Sequence, residues 1–146
     1  MQLSENFSLA EMTRSATAKR YGIDNTPNEE QIENLKALCK NVLQPLRDEF
    51  GPITIGSGFR SKAVNNHPLV GGASKSQHMK GEAADIHLPS IEIGKKWFAW
   101  LQTHVVYDQL IWERDSPKSN HYWIHVSFSR TKNRMNVIPL LNKHKS

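Results

Sequence analysis

The chain has 146 residues and a formal net charge of +5, from 19 lysines and arginines against 14 acidic residues. Its 38% hydrophobic and 23% charged residues are typical of a globular protein, and no stretch reaches the roughly 20 apolar residues that a membrane-spanning helix needs. The single cysteine, Cys39, excludes an internal disulfide and any cysteine-rich metal site, so a metal would have to be held by histidines and carboxylates.

The first 20 residues lack the basic start and apolar stretch of a secretory signal. We therefore expect a protein made in the cytoplasm without a signal peptide, which would need another route of delivery to act outside the cell. The positive charge favours anionic partners such as nucleic acid, anionic lipid or a cell wall rich in phosphate and carboxylate, and it selects none of them. Because no linker or repeat interrupts the chain, we predict a single domain over residues 1–146, with a monomer as the default.

The N-terminal half has the pattern of helices. Ser8 and Glu11 have capping-box spacing and predict a short helix. Thr26-Pro27 predicts the start of a longer amphipathic helix that ends near Gly51, with a kink at Pro45. Its apolar face is built from Ile32, Leu35, Leu38, Val42, Leu43, Leu46 and Phe50.

The C-terminal half has the pattern of strands, with one further helix over 90–103. Strands are predicted at 53–55, 83–88, 109–112 and 122–128, and a loop with some helix at 61–82. The last two strands are joined by a polar turn, which predicts a hairpin. Helices followed by strands indicate an α+β fold, in which N-terminal helices pack on a small, largely antiparallel sheet.

One segment carries candidate metal ligands. A loop presents His78, Gly81 permits a tight turn, and a strand then carries Asp85. A catalytic zinc site needs three protein ligands and one open position, and His125 in the last strand is a suitable third ligand. His125, Trp123 and Ser127 are predicted to lie on one face of that strand, because side chains alternate.

Two further residues are candidates for catalysis. Glu113 ends the strand before that of His125, so hairpin pairing would bring it beside the metal as the base for an attacking water. Arg60 follows a Gly-Phe turn and is a candidate clamp for a substrate carboxylate or a developing oxyanion. Taken singly, each residue also has a structural interpretation, since a lone histidine or aspartate is more often structural, Arg60 can pair with a surface carboxylate, and Glu113 can be a solvated turn residue.

The joint pattern resembles the zinc D-alanyl-D-alanine carboxypeptidase family, whose fold also occurs in phage endolysins, D,D-dipeptidases and the Hedgehog signalling domain. The match to Ser-x-His-x6-Asp runs from Ser76 to Asp85, and His125-Val-Ser127 matches the late His-aliphatic-Ser strand. The upstream arginine motif resembles Ser57-Gly-Phe-Arg60-Ser61, and Asp108 to Glu113 resembles the strand before the last ligand. These four motifs occur in the family's order over roughly residues 50–130.

The resemblance implies that His78, Asp85 and His125 bind Zn²⁺ and that Arg60 binds the substrate carboxylate or polarises its carbonyl. The dipeptidases have their catalytic glutamate three residues before the last histidine, where this chain has Tyr122. The Hedgehog-like arrangement has the glutamate at the end of the preceding strand, and this implies Glu113 as the base. Trp123 replaces a histidine of some carboxypeptidases, which leaves His121 as a candidate replacement. We predict that Ser76, Trp123 and Ser127, which flank the ligands, bind substrate.

The function that follows is a zinc metallopeptidase acting on the stem peptides of bacterial peptidoglycan, as a carboxypeptidase or an endopeptidase, and expected in a phage or prophage lysis role. The alternative is a non-catalytic zinc-containing module for wall binding or signalling, which the substitutions at Tyr122 and Trp123 keep open. Nucleic-acid binding is motivated only by the charge and has no recognition motif, so we expect no nucleic-acid partner.

Overall fold

The computed structural model describes residues 1–144. No helix among these residues is both long enough and apolar enough to cross a membrane. The elements follow one another as β1 (Gln2–Ser4), β2 (Phe7–Ser8), α1 (Leu9–Met12), α2 (Ala16–Tyr21), α3 (Glu29–Leu38), a π-helical turn (Cys39–Leu43), α4 (Gln44–Phe50), β3 (Ile55–Ser57), α5 (Lys62–Asn65), a 3-10 turn (Gln77–Lys80), β4 (Ala83–His87), α6 (Ile91–His104), β5 (Gln109–Arg114), β6 (Tyr122–Ser127) and β7 (Asn136–Asn142).

The main sheet has five strands in the order β3-β4-β6-β5-β7, and β1 and β2 form a separate small antiparallel sheet. The pairs β3–β4, β4–β6 and β5–β6 are antiparallel, whereas β7 pairs parallel to β5. The predicted α+β class with a largely antiparallel sheet is therefore confirmed. The predicted hairpin is formed by β5 and β6.

The long helical region begins later than the sequence predicts. Its first cap is Asn28, whose side chain accepts the Gln31 N–H while the Gln31 side chain accepts the Asn28 N–H, both at 2.8 Å. The predicted cap, Thr26, instead donates its hydroxyl hydrogen to the Asp24 carboxylate at 2.6 Å. The prediction of a start at Thr26-Pro27 was wrong because a complete capping box two residues later satisfies the free N–H groups of the first turn.

The same helical region is interrupted where the sequence predicts a kink. Residues Cys39–Leu43 form a π-helical turn, in which the Gln44 N–H donates to the carbonyl of Cys39, five residues earlier. Pro45 follows at once and has no N–H to continue the regular pattern, so the wider turn accommodates it. The helix then ends at Phe50, before Gly51, as predicted.

The two faces of the sheet have different environments. Ile86 of β4, Leu110 of β5 and Ile124 of β6 belong to the hydrophobic core, together with Leu35 and Leu101 from the helices. The intervening residues point to the opposite face, because side chains alternate along a strand. That opposite face carries Asp85, Glu113 and His125, which line one cavity. Helix packing on one face thus holds three strands rigid beneath the candidate site.

Two strands differ from their predictions. β3 covers Ile55–Ser57 rather than 53–55, since it pairs with β4 through Ile55 opposite Ile86. β7 was not predicted, because Pro139 and a preceding polar loop are unlike a regular strand. Its register against β5 shifts between Ile111 and Glu113, and Pro139 lies in the shifted segment.

Candidate metal centre

His78 is delivered by a short, tightly capped turn. The Ser76 hydroxyl accepts the His78 N–H at 3.2 Å, and Gly81 ends the turn at φ +75°. A side chain at Gly81 would put its Cβ 2.5 Å from the carbonyl oxygen of Gln31 in α3. Glycine is therefore required both by the left-handed backbone and by the close approach of the helix.

Asp85 and His125 meet because their strands are in register. They are direct partners in the antiparallel β4–β6 pair, so their side chains lie next to each other on one face. Nδ1 of His125 lies 3.0 Å from Oδ1 of Asp85, and Nε2 of His78 lies 3.4 Å from the same oxygen. One ligand atom from each of the three residues lies within 4.8 Å of the other two. The structure thus brings together the three predicted metal ligands.

The state of His78 fits a metal ligand. Its Nδ1 lies 2.7 Å from the Gly58 carbonyl oxygen, which can only accept, so Nδ1 carries the hydrogen and Nε2 carries a lone pair. Nε2 is buried, and among the residues that the structure describes it is the one buried side-chain N or O atom without a hydrogen-bond partner. An unpaired lone pair facing a carboxylate and a second imidazole is the donor arrangement that zinc binding needs.

The electrostatics favour the protonation states that metal binding requires. Burial lowers the pKa of His78, so its ring stays neutral. Burial by itself would raise the pKa of Asp85, but the imidazoles of His78 and His125 beside its carboxylate, together with the hydrogen bond from His125 Nδ1, outweigh burial and hold that pKa well below its usual range. A neutral imidazole and an ionised carboxylate are the forms that bind a metal.

Arg60 is fixed at the edge of this cluster. Its Nε donates to Ser57 Oγ and its Nη1 to Asn65 Oδ1, both at 3.1 Å, and Nη2 lies 3.7 Å from Asp85 Oδ2. Asn65 is fully buried and donates in turn to the Ala73 carbonyl at 2.9 Å. Sequence reasoning missed Asn65, because its role as the support of Arg60 depends on a loop that closes over it.

Glu113 lies opposite Trp123 in the β5–β6 hairpin. The indole N–H of Trp123 donates to Glu113 Oε1 at 3.2 Å and so orients the carboxylate. Burial, followed by the negative charge of Asp85, raises the pKa of Glu113, and these effects outweigh the opposing influence of His125, the Trp123 hydrogen bond and Lys143. A raised pKa makes the Glu113 carboxylate a stronger base than an ordinary glutamate, which suits it to accept a proton.

One cavity of about 480 Å³ is bordered by the three candidate metal ligands and by Arg60, Glu113 and Trp123. Of the predicted substrate-binding residues, Arg60, Ser76 and Trp123 line it. Ser127 does not line it: the residue is fully buried and its hydroxyl accepts the Gln109 N–H at 2.9 Å. The geometry gives no support to substrate binding by Ser127, because this hydroxyl is used to join β6 to the start of β5.

His121 lies outside the ligand cluster. It is exposed in the turn between β5 and β6, and its ring centre is 5.2 Å from that of Trp123. Both residues line a smaller cavity of about 240 Å³ next to the main one.

A second network that sequence reasoning missed supports the His78 turn. Gln77 donates to Asp108 Oδ2 at 3.0 Å, and Arg134 binds the same carboxylate through Nε at 2.9 Å and Nη2 at 2.7 Å. The Arg134 hydrogen bonds, opposed by burial, lower the pKa of Asp108 to about 2. The network therefore ties the turn to the start of β5, and only the folded chain brings these three residues together.

Comparison with known proteins gives two findings. Residues 5–127 match the model of the family described as Peptidase M15. A segment of 46 residues is 52% identical to the zinc D-Ala-D-Ala carboxypeptidase of Streptomyces albus G, an alignment that covers 30% of this chain and 17% of that protein. The family match extends over most of the chain and includes every predicted metal ligand. The chain belongs to the peptidase M15 family.

Proposed function

We propose that the chain is a zinc metallopeptidase that hydrolyses peptide bonds in the stem peptides of bacterial peptidoglycan. The observation that carries the proposal is the convergence of His78, Asp85 and His125 within 4.8 Å, in a cavity that also contains Glu113 and Arg60. Membership of the peptidase family supports peptide hydrolysis. The partial similarity to a zinc D-Ala-D-Ala carboxypeptidase supports zinc as the metal and wall peptides as the substrate.

In this proposal His78, Asp85 and His125 hold Zn²⁺. When bound there, the ion would supply Lewis-acid chemistry, which polarises a carbonyl and lowers the pKa of water from about 15.7 toward about 7. Two imidazoles and one carboxylate would hold the ion with three protein ligands, the number typical of catalytic zinc sites, whereas structural sites use four. The Gly58 carbonyl fixes the tautomer of His78, and the direct strand pairing fixes Asp85 against His125.

Glu113 acts as the general base and then as the general acid. Its carboxylate accepts a proton from the attacking water and returns it to the departing amine. Its raised pKa suits the first step, and the Trp123 indole N–H keeps one carboxylate oxygen in place. Arg60 binds the substrate carboxylate or polarises its carbonyl, and the hydrogen bonds from Arg60 to Ser57 and Asn65 limit its motion.

The proposal extends to the cellular role. Residues 1–146 act as one peptidase domain, monomeric by default, made in the cytoplasm and delivered to the wall as a phage or prophage lysis enzyme. The net charge of +5 suits an anionic wall. Expression in bacteria together with a pore-forming protein is expected to lyse the cells, whereas expression of either protein alone is not. This role would be contradicted by lysis without the pore-forming protein, or by the absence of lysis when both proteins are expressed.

The catalytic proposal is tested with the metal content and the wall digestion of one set of variants. Wild type is expected to hold about one zinc per chain and to release peptide fragments from purified peptidoglycan, and the fragment masses identify the bond. His78→Ala is expected to lose both the metal and cleavage. Glu113→Gln is expected to keep the zinc while hydrolysis falls by about 10²–10⁴-fold. Glu92→Gln, in the first turn of α6, is the matched control and is expected to behave as wild type.

Each opposite result has a definite meaning. Full hydrolysis by Glu113→Gln would remove Glu113 from the role of base. Zinc binding by wild type without any fragments would favour the non-catalytic binding module. A wild-type preparation that takes up no zinc, even when zinc is added, would refute the metal site.

A further inference from the structure

One wall of the cavity is formed by residues beyond the segment that matches the family model, which ends at residue 127. β7 lies parallel to β5 at the edge of the sheet. Leu141 and Asn142 at the end of β7, and Lys143 just after it, line the cavity. Lys143 also lines the smaller neighbouring cavity, so it stands where the two cavities meet. This wall therefore lies outside the matched segment, and it has no role in the proposed catalytic cycle.

The direction of these side chains follows from a register shift. Ile138 pairs with Ile111, whereas Leu141 pairs with Glu113, so β7 advances three residues while β5 advances two. An extra residue of this kind changes which side chains face each side of the sheet. In a regular strand Leu140 would lie opposite Glu113, and Lys143 would point away from the face that carries Glu113. The shift puts Leu141 and Lys143 on the cavity side.

The charge of Lys143 is free to act on a ligand. Three other cations line the cavity: Arg60 is bound to Ser57 and Asn65, and Arg134 is bound to Asp108. Lys75, in the loop before the His78 turn, also has no side-chain partner within residues 1–144, but unlike Lys143 it does not border the second cavity. Lys143 itself forms no side-chain hydrogen bond and no ion pair within residues 1–144, and it is exposed. Its ammonium is near enough to Glu113 to oppose the rise in the pKa of that carboxyl group. A positive charge beside the proposed base, with no protein partner, would attract an anionic substrate group next to the scissile bond more strongly than a neutral one.

We propose that Lys143 is a specificity-determining residue, which selects peptides that carry a free carboxylate on a residue flanking the scissile bond over the same peptides with a carboxamide. Leu141, on the same face, supplies the apolar contact beside that carboxylate. The substrate class is thus anionic stem peptides rather than amidated ones. This inference rests on the proposed peptidase function and adds the residue that decides between two forms of its substrate.

The test uses pairs of synthetic stem peptides that differ only in a carboxylate or a carboxamide on the residue before or after the bond that the wall digest identifies. The measured quantity is the ratio of kcat/KM for the two members of a pair. A charge-assisted contact in an open cavity predicts a wild-type preference of about tenfold for the carboxylate. Lys143→Gln is expected to bring the ratio close to one, and Lys143→Glu is expected to reverse it. Lys143→Arg is expected to retain the preference.

Lys40→Gln is the matched control, because Lys40 is exposed in the π-helical turn and does not line the cavity. Its ratio is expected to equal that of wild type. A merely structural contribution of Lys143 would change both rates together and leave the ratio intact, which would overturn the inference. Equal wild-type rates on both peptides would also overturn it while the peptidase function stands. Failure of wild type to cleave either peptide or the wall would instead refute the proposed function.

Discussion

Gly81 offers a direct test of how the His78 turn is built. Gly81→Ala introduces a Cβ at φ +75°, in the left-handed region, at a cost of about 1–2 kcal/mol. The same Cβ would lie 2.5 Å from the Gln31 carbonyl oxygen and 3.2 Å from Leu35 Cγ, which are parts of a packed helix. Forcing that helix aside costs about 1–3 kcal/mol more. We therefore expect a total loss of about 2–5 kcal/mol in the free energy of unfolding.

Gly22→Ala is the control that separates the two contributions. Gly22 has φ +63°, nearly the same backbone, but an added Cβ would meet nothing within 4 Å. Both variants also lose the same chain flexibility in the unfolded state, so this effect cancels in the comparison. At this chain length about 1 kcal/mol corresponds to roughly 2–4 °C in Tm. The packing cost of about 1–3 kcal/mol should therefore make Gly81→Ala melt about 2–12 °C below Gly22→Ala.

The assay is thermal unfolding by circular dichroism, with zinc content measured on the same samples. Gly81→Ala is expected to lose zinc affinity, because the altered turn carries His78, whereas Gly22→Ala is expected to keep it. Equal melting temperatures for the two variants would show that the contact with α3 does not constrain the turn, and would refute the packing argument.

Two further predictions concern the network at Asp108 and the shift in β7. Because the pKa of Asp108 is lowered from 3.8 to about 2 in the folded chain, its ionised form stabilises the fold by about 2 kcal/mol above pH 4, and this contribution disappears as the pH falls from about 4 to about 2. Asp108→Asn should therefore be less stable than wild type by about that amount in urea unfolding at pH 7, and the two should converge near pH 2. Asp115→Asn is the control: Asp115 pairs with His144 in a half-exposed position, so this variant should lose less than about 0.5 kcal/mol of unfolding free energy. An equal loss in Asp108→Asn and Asp115→Asn would contradict the role of the Asp108 network. Insertion of one alanine between Leu141 and Asn142 should turn Lys143 to the other face and abolish the carboxylate preference, although the lysine is still present. Deletion of Leu140, which leaves Leu141 opposite Glu113, should preserve the carboxylate preference. If the insertion variant kept the preference and the deletion variant lost it, the register shift would not be what directs Lys143 to the cavity.

Much of the candidate site could be predicted from residue types and spacing. The glycine turn after His78, the alternating strand that carries Asp85 and the late strand with His125 are local patterns, and the three side chains do meet in the structure. The hairpin that puts Glu113 beside Trp123 was likewise predictable, because two strands joined by a polar turn pair antiparallel. Their roles as zinc ligands and base stay predictions until metal content and hydrolysis are measured.

The errors arose where several local signals compete or where none exists. Thr26-Pro27 and Asn28 were both reasonable helix starts, and the reciprocal hydrogen bonds of Asn28 and Gln31 decided between them. Ser127 was predicted to bind substrate from its spacing to His125, yet its hydroxyl is taken by the Gln109 N–H. Spacing places a residue on a face of a strand, but it does not say which neighbour will use its hydrogen-bonding atoms.

The sequence by itself determined the fold class, the helix caps near Ser8 and Gly51, and the set of residues able to hold a metal. These follow from interactions within a few residues of the chain, which periodicity and residue type express directly. Only the tertiary structure decided that Asn65 holds Arg60, that Asp108 joins the His78 turn to β5, and that Lys143 faces the cavity. Each of these depends on strand register or loop closure between distant segments, and a shift of one residue would turn such a side chain to the opposite face.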